Sequence, residues 1–303
     1  MYPVRVAVVG IILTTILGTL LGVGRFSRNI LVRGICLTYV EVFRNIPVLL
    51  QLLVWYLIFT EVLPSADEAW TLGHFFLSKG GLTFPIPIWA TGHLVAVVGL
   101  LIGLVLAYFY RRKVYKKFEQ TGQISSLFWV PLGIVLLGGF LGWIAGGFPS
   151  EFNTPFKGEF AIENGGSLTP EYLTVLLGLT LYTSAFVAEI VRSGISSVSR
   201  GQQEASSALG LSPSQTMRLV TLPQALRVII PPMTNQFLNL TKNSSLAVAI
   251  GYQEVVSIAN TSMNQTGRAV ECIAIIMLVY LTTSLLTSFF MNWYNTRSAI
   301  KER

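Results

Sequence analysis

Charge is what this sequence has least of. Only 12% of its 303 residues are charged and 52% are hydrophobic, whereas a soluble domain carries about 25% charged residues. A soluble chain of this size would lack the polar surface to stay dispersed, so part of its solvent is lipid. Asp67 is the only aspartate, and His74 and His93 are the only histidines, which leaves little material for a metal site or a catalytic dyad. Cys36 and Cys272 both fall in apolar runs, so no disulfide framework is implied. There is no G-x-x-x-x-G-K-[ST] phosphate loop, and the chain cannot bind and hydrolyse ATP by that route. H-E-x-x-H is missing too, and a lone aspartate excludes a paired-aspartate membrane protease. No polar stretch is long enough to build a soluble domain with a core of its own. The formal charge of +7 leaves nucleic acid open until the charges are located.

Apolar runs are what the sequence has in quantity. A bilayer core takes roughly 20 residues of helix to cross, and seven stretches are expected to span it: about Val4–Gly24, Ile35–Val62, Ile88–Tyr110, Leu127–Phe148, Tyr172–Val191, Met233–Tyr252 and Ala269–Trp293. The sixth is the weakest, being rich in Asn, Gln, Ser and Thr. The chain opens almost directly on the first run, with no charged n-region and no small-residue cleavage site, so no signal peptide is expected.

Orientation follows from the excess of basic residues on the cytoplasmic side. One set of alternate connections holds Arg25, Arg28, Arg33, Arg111, Arg112, Lys113, Lys116, Lys117, Arg192, Arg200, Arg218, Arg227, Arg297, Lys301 and Arg303. The other holds Lys79, Lys157 and Arg268, together with the acids Glu61, Asp67, Glu68, Glu151, Glu159, Glu163 and Glu171. The first set is therefore expected inside, with the C-terminus, and the N-terminus outside. This alternation accounts for most of the positive charge without nucleic acid.

The loop after the fifth stretch, RSGISSVSRGQQEASSALGLSPSQTMRLVTLPQALRVIIPP, reads as two short helices. Ser199 with Gln202, and Ser212 with Gln215, fit capping boxes, and Pro213 takes the first helical position of the second helix. Gly210 stands where a left-handed cap would stop the first helix, and Pro223 is expected to end the second. Ala205, Ala208 and Leu209 share a small, flat apolar face. Three readings fit this pattern: an interfacial connector, a DNA-binding helix–turn–helix, or an element that docks into a groove on a soluble partner. The DNA reading would need basic residues tracking phosphates, and only Arg218 lies on the second helix.

The run Glu204-Ala205-Ser206-Ser207-Ala208-Leu209-Gly210, followed by Leu222-Pro223, resembles the EAA loop of ABC-importer permeases, which inserts into a cleft of the ATPase subunit. YVEVFRNIPVLLQLLVWY, AFVAEIVRSGI, LPQALRVIIPPMTNQFLNLTKNSSLAVAIGYQE and LTSFFMNWYNTR resemble the polar amino acid permease family (histidine, glutamate, glutamine, arginine and opine permeases), and within it the broad-range L-amino acid subfamily. Ser206 departs from the motif, in which a second alanine is usual. The chain also opens inside what is usually a later segment, so an upstream membrane stretch common in the subfamily is expected to be missing.

The resemblance implies an all-α integral membrane protein of the bacterial inner membrane with about seven transmembrane helices, in the type I ABC importer permease fold. Residues 1–303 would form one permease domain, with 88–148 an inserted helix pair and 192–232 the cytoplasmic coupling loop. Glu204, Ala205, Ala208, Leu209, Gly210 and Pro223 would couple it to the ATPase. The implied partners are a second, homologous permease chain, two ATPase subunits that bind ATP and Mg, a periplasmic amino-acid-binding protein, membrane lipid and an L-amino acid substrate, with no nucleic acid. No cofactor or metal is expected in the chain itself. The competing class is a carrier or channel driven by an ion gradient. Such folds often carry internal inverted repeats, none is evident here, and the docking loop would have no purpose in them.

Ionisable groups at membrane depth suggest a pathway by default. In the sixth stretch Asn235, Asn239, Lys242 and Asn243 lie on one helical stripe, with Gln236 at its edge and Ser244 and Ser245 following. Lys242 and the Asn and Ser groups suit the carboxylate of an amino acid, and Glu41 or Glu254 its ammonium. The alternative is a stripe satisfied by helix–helix hydrogen bonds at a subunit interface. Glu41, Arg44 and Asn45 are neighbours on one helix face ahead of Pro47, and a Glu41–Arg44 pair near the cytoplasmic interface is the simpler account of them. Glu189 and Arg192 are expected to form a structural ion pair that anchors the loop.

Overall fold

The computed structural model describes residues 2–121, 126, 128–158 and 161–298. In chain order the elements are α1 (Tyr2–Gly24), α2 (Ile30–Asn45), α3 (Val48–Leu57), β1 (Trp70–Leu72), β2 (Phe75–Ser78), β3 (Gly81–Phe84), β4 (Ile86–Pro87), α4 (Thr91–Thr121) and α5 (Trp129–Ala145). Then come β5 (Phe152–Asn153), β6 (Phe156–Lys157), β7 (Ile162–Glu163), β8 (Gly166–Leu168), α6 (Pro170–Ser196), α7 (Arg200–Ala208), α8 (Pro213–Thr216), α9 (Leu222–Asn243), α10 (Val255–Thr266) and α11 (Ala269–Ser298). The chain divides into two compact units. One comprises Met1–Trp70, Leu77–Leu82 and Leu168–Arg303, the other Thr71–Phe76 and Thr83–Ser167.

In the first unit α6 is the central helix, buried along most of its length. Val175 and Leu179 join Val6 and Ala7 of α1 and Leu240 of α9 in one cluster. Val187 and Val191 join Ala225 and Ile229 of α9 in another. Lipid supplies no hydrophobic force between helices, so close packing of small residues has to hold them together. Gly18 and Gly22 of α1 serve this purpose. A methyl group at Gly18 would come within 2.6 Å of Val187 Cβ and 2.9 Å of the Ser184 carbonyl oxygen, and one at Gly22 within 2.7 Å of the Ala188 oxygen. Contacts that advance together along both chains mean that α1 and α6 run parallel. Thr14 Oγ1 adds a hydrogen bond to the Thr180 carbonyl at 3.5 Å.

The second unit is built on a helical hairpin packed backbone to backbone. Gly92 meets Gly146, Gly99 meets Gly138 and Gly142, and Gly103 meets Val135 and Gly138. Gly138, Gly142 and Gly146 therefore form a continuous small-residue stripe on α5 that lets α4 lie directly against it. The same unit contains two short antiparallel pairings, Ile86 with Asn153 and Pro87 with Phe152, and Phe156 with Glu163 and Lys157 with Ile162.

The expectation of about seven spanning helices is corrected. Among the described residues four helices are long and apolar enough to cross a membrane: Arg5–Gly24, Thr91–Lys117, Pro170–Ser196 and Ala269–Trp293. A fifth crossing results only if Ile30–Asn45 and Val48–Val62, bent by 105° to each other, count as one. Three physical reasons account for the difference. Pro47 stands at the break in the second stretch, where it cannot continue the ladder of α2. The Gln51 side chain occupies that break, its amide donating to the carbonyls of Phe43 and Ile46 at 2.9 and 2.8 Å. In the fourth stretch α5 ends after 17 residues, roughly 26 Å of helix against a core of about 30 Å. The sixth stretch is the polar second half of α9, which passes into a 3₁₀ helix at Ser244–Ile250 and stops at Gly251 with φ +74°. The all-helical expectation also missed the short strands between α3 and α4 and between α5 and α6. Glu159, Lys301 and Arg303, counted in the charge asymmetry, lie outside the described residues.

Candidate functional site

The loop between α6 and α9 folds on itself. Helix α7 ends in a Schellman turn: Gly210 N–H donates to the Ser207 carbonyl at 3.0 Å, and Leu211 N–H to the Ser206 carbonyl at 3.1 Å. Gly210 makes this possible with φ +77°, a conformation that costs other residues strain. Ser212 then opens α8 with a complete capping box, its Oγ accepting from Gln215 N–H and its own N–H donating to Gln215 Oε1 at 2.9 Å. The corresponding box at Ser199 does not form. The Ser199 backbone carbonyl takes the Gln202 N–H at 3.1 Å, and the Gln202 side chain accepts from Gln224 of α9 at 3.4 Å.

Pro223 does not end the second helix as expected. After α8 the backbone opens into a π turn at Met217–Thr221 and continues as α9, with Pro223 in the first turn. Helical backbone on both sides of Pro223 shows that the chain carries on as helix despite its missing N–H.

Ser206, the departure from the EAA motif, has a role that the motif does not indicate. It is buried, and its Oγ lies 2.9 Å from Thr216 Oγ1 and donates to the Gln203 carbonyl at 2.7 Å. It thereby joins α7 to α8. Glu204, Ala205, Ala208 and Leu209 are all exposed, Leu209 by 81%. The loop thus holds itself together through one face and leaves its small apolar face exposed among the described residues.

Helix α9 divides its residues in the same way. Ala225, Ile229, Phe237, Leu240 and Thr241 are buried against the first unit, while Asn235, Asn239 and Lys242 are exposed on the opposite face. Asn243 and Ser245 are partly buried and Ser244 buried, at the point where the α-helix tightens to 3₁₀. Among the described residues Lys242 forms no ion pair. A cavity of about 620 Å³ beside α9 takes in Pro223, Ile230, Met233 and Phe237. It lies off the polar stripe.

Neither candidate acid lies on α9: Glu41 is on α2, and Glu254 caps α10 and is tied through Tyr280 to Ser244 and Ser245 at the end of the stripe. Glu41 is exposed on α2 and accepts from Asn45 Nδ2 at 3.4 Å. Glu254 is 3% exposed and both its oxygens are engaged, Oε1 by Val256 N–H at 2.9 Å as the cap of α10 and Oε2 by the Tyr280 hydroxyl at 2.8 Å. Burial pushes the Glu254 carboxyl above the usual carboxylate range, and these hydrogen bonds only partly oppose the shift.

Glu189 pairs with Arg192 and also with Arg25 at the end of α1. Arg44 of α2 approaches it at 3.8 Å with its guanidinium 5.5 Å from the Phe186 ring centroid. The cluster therefore gathers three helices on one carboxylate, and Arg44 is turned toward Glu189 rather than Glu41. Among the described residues no group of three His, Cys, Asp or Glu could hold a metal ion.

A buried helical scaffold with an outward polar stripe and an outward docking loop has relatives. Residues 97–299 match the model of the binding-protein-dependent transport system inner membrane component, more than half of the chain. The chain belongs to this family. It is a permease component, and the family's ATPase activity resides in a separate subunit. The chain is similar to the general L-amino acid transport system permease protein AapQ of Rhizobium johnstonii, 46% identical across 98% of this chain and 75% of that protein. It is also similar to the glutamate/glutamine/aspartate/asparagine transport system permease protein BztB of Rhodobacter capsulatus, 40% identical across 92% and 73%. Among solved structures, the crystal structure of an amino acid ABC transporter with histidines shares the fold, with TM-score 0.56 and 18% identity over 97% of this chain and 90% of that one. The structure of the permease component is thus that of a multi-pass inner-membrane protein.

Proposed function

We propose that this permease carries L-amino acids inward across the bacterial inner membrane, as half of a pathway completed by a second, homologous permease chain. The observation that carries the reading is the pair of exposed faces on one continuous segment. Ala205, Ala208 and Leu209 face outward on α7, and Asn235, Asn239 and Lys242 face outward on α9. Two ATPase subunits, which bind ATP and Mg, grip the first face of each permease. Their closure pushes on the loop, and α9, joined to it through the π turn, shifts the polar stripe between its inward-open and outward-open settings. Lys242 and the neighbouring Asn and Ser groups receive the substrate carboxylate, because a cation and amide donors match that charge. The names of the relatives support amino acids as the cargo, and a periplasmic binding protein delivers them.

The N-terminus lies outside and the C-terminus inside. Arg25 follows α1 and Arg192 falls near the end of α6, so these two parallel helices both end inside under the excess of basic residues there.

The test is uptake of labelled neutral, acidic and basic amino acids by proteoliposomes containing the complete complex. Uptake that requires ATP, the ATPase and the binding protein is expected, and Lys242→Ala should reduce it while leaving assembly intact. Uptake driven by an ion gradient without ATP or partners would overturn the reading.

A further inference from the structure

We infer that the α4–α5 hairpin holds an anionic phospholipid at the basic end of α4. The argument begins with length. The spanning part of α4 covers 27 residues, whereas the hydrocarbon core takes about 20. Counted from Thr91, the core is crossed by Tyr110, and Arg111 and Arg112 then stand at the level of the headgroups.

Packing makes a site there. Toward Gly92 the two helices touch through backbone, Gly92 against Gly146 and Gly99 against Gly142. Beyond Gly103 the glycine contacts end and larger side chains replace them. A cavity of about 890 Å³ opens between the helices. On α4 it is lined by Leu104, Ala107, Tyr108, Arg111 and Tyr115, which share one helical face. Across from them stand Phe128, Pro131, Leu132 and Val135. The cavity is therefore apolar at depth, aromatic at its rim and basic at its mouth.

Both guanidinium groups are available to an anion. Among the described residues neither Arg111 nor Arg112 forms an ion pair. Lys113 and Lys116 follow in the exposed last turns, and the sequence of α4 sets one acid, Glu119, against five basic residues, Arg111, Arg112, Lys113, Lys116 and Lys117. A water-soluble anion would use the arginines and leave the apolar cleft empty. A zwitterionic lipid would fill the cleft and set its own cation against theirs. An anionic phospholipid satisfies both parts: phosphate oxygens accept from Arg111 and Arg112, and one acyl chain lies between Leu104 and Leu132. Aromatic side chains at the rim suit the membrane–water boundary. The inference requires membrane residence alone and is independent of the substrate.

The experiment is native mass spectrometry of the complete complex released from nanodiscs containing equal parts of phosphatidylglycerol and phosphatidylcholine. Wild type is expected to retain phosphatidylglycerol selectively, and Arg111→Gln with Arg112→Gln to retain about 25-fold less, since each basic residue near a membrane surface contributes roughly a factor of five. Arg28→Gln with Arg33→Gln removes the same charge elsewhere and should retain wild-type levels. Leu132→Trp keeps both arginines, narrows the cleft and should also release the lipid. Soluble glycerol phosphate should not displace it. Equal retention by wild type and the double arginine variant, no preference for phosphatidylglycerol, or full displacement by glycerol phosphate would each overturn the inference.

Discussion

Arg25 and Glu189, 164 positions apart in the sequence, pair side chain to side chain and tie the end of α1 to α6. The same carboxylate accepts from Arg192 and faces Arg44 of the bent α2, so one acid organises three helix ends beside the start of the coupling loop. Removing it leaves three cations close together. Glu189→Gln is expected to cost about 2 kcal/mol, below the range for fully buried pairs because the side chain is 23% exposed. The melting temperature of the purified complex should fall measurably. Glu41→Gln, an exposed change with a single weak side-chain contact, should leave it within error. Equal behaviour of the two variants would remove Glu189 from this role.

Gly210 is expected to matter for coupling and little for folding. A side chain there meets nothing within 4 Å, so a substitution is strained by its backbone alone, by about 1–2 kcal/mol in the left-handed region. Gly210→Val should distort the turn after α7, keep the protein in the membrane and lower transport per ATP hydrolysed. Gly210→Asn should restore much of the coupling, because asparagine tolerates this conformation. The readout is uptake and hydrolysis measured on the same proteoliposomes. A normal ratio in Gly210→Val would remove the turn from the coupling path.

Much of this loop was legible because its signals are local. Gly210 and the Ser212–Gln215 box act within a few residues, and each spacing carries its own geometry. Ser199 misled for the complementary reason: Gln202 found a distant partner in Gln224, which no local pattern contains. Pro223 was read as a stop because the π turn before it cannot be foreseen from propensity. Arg44 was assigned to its helical neighbour Glu41, while the fold supplied Glu189. The glycine stripes were within reach, since Gly18-x-x-x-Gly22 and Gly138-x-x-x-Gly142-x-x-x-Gly146 have the spacing of close helix contacts. Span number was overestimated because hydropathy sums composition and cannot see a 105° bend or a helix a turn too short.

The α1–α6 contact gives a direct check on that glycine reading. Gly18→Leu would drive a side chain into Val187 and the Ser184 carbonyl, and overpacking of this kind costs about 1–3 kcal/mol. Gly18→Ala is the smaller step and should already be felt, because its single carbon would lie 2.6 Å from Val187. Gly34, where an added carbon meets nothing within 4 Å, is the control. Thermal stability in detergent should rank Gly34→Ala above Gly18→Ala above Gly18→Leu. Any other order would contradict direct packing of these helices.

Ser206 separates docking from internal cohesion. Ser206→Ala loses the contact with Thr216 Oγ1 at a cost of about 1 kcal/mol. It keeps the volume that lets α7 lie on α8, so transport should stay near wild type. Ser206→Leu would force the two helices apart and should reduce both ATPase binding and uptake. Pull-down of the ATPase by membranes bearing each variant distinguishes them. Equal capture by both would show that the α7–α8 contact does not shape the docking face.

Glu254 should make stability depend on pH in a stated direction. Burial raises its carboxyl pKa in the folded protein, so the folded state favours the neutral acid. The resulting stabilisation is complete below the unfolded carboxylate value of about 4.3 and is lost as pH rises through the raised folded value. Glu254→Gln stays neutral throughout and can still accept from Val256 N–H at the start of α10. The difference in melting temperature, wild type minus Glu254→Gln, should therefore shrink or change sign as pH rises from about 4 to 8. A difference that stays constant over that range, or grows with pH, would mean that the buried carboxyl ionises without cost. Its hydrogen bonds to Tyr280 and Val256 would then outweigh its desolvation.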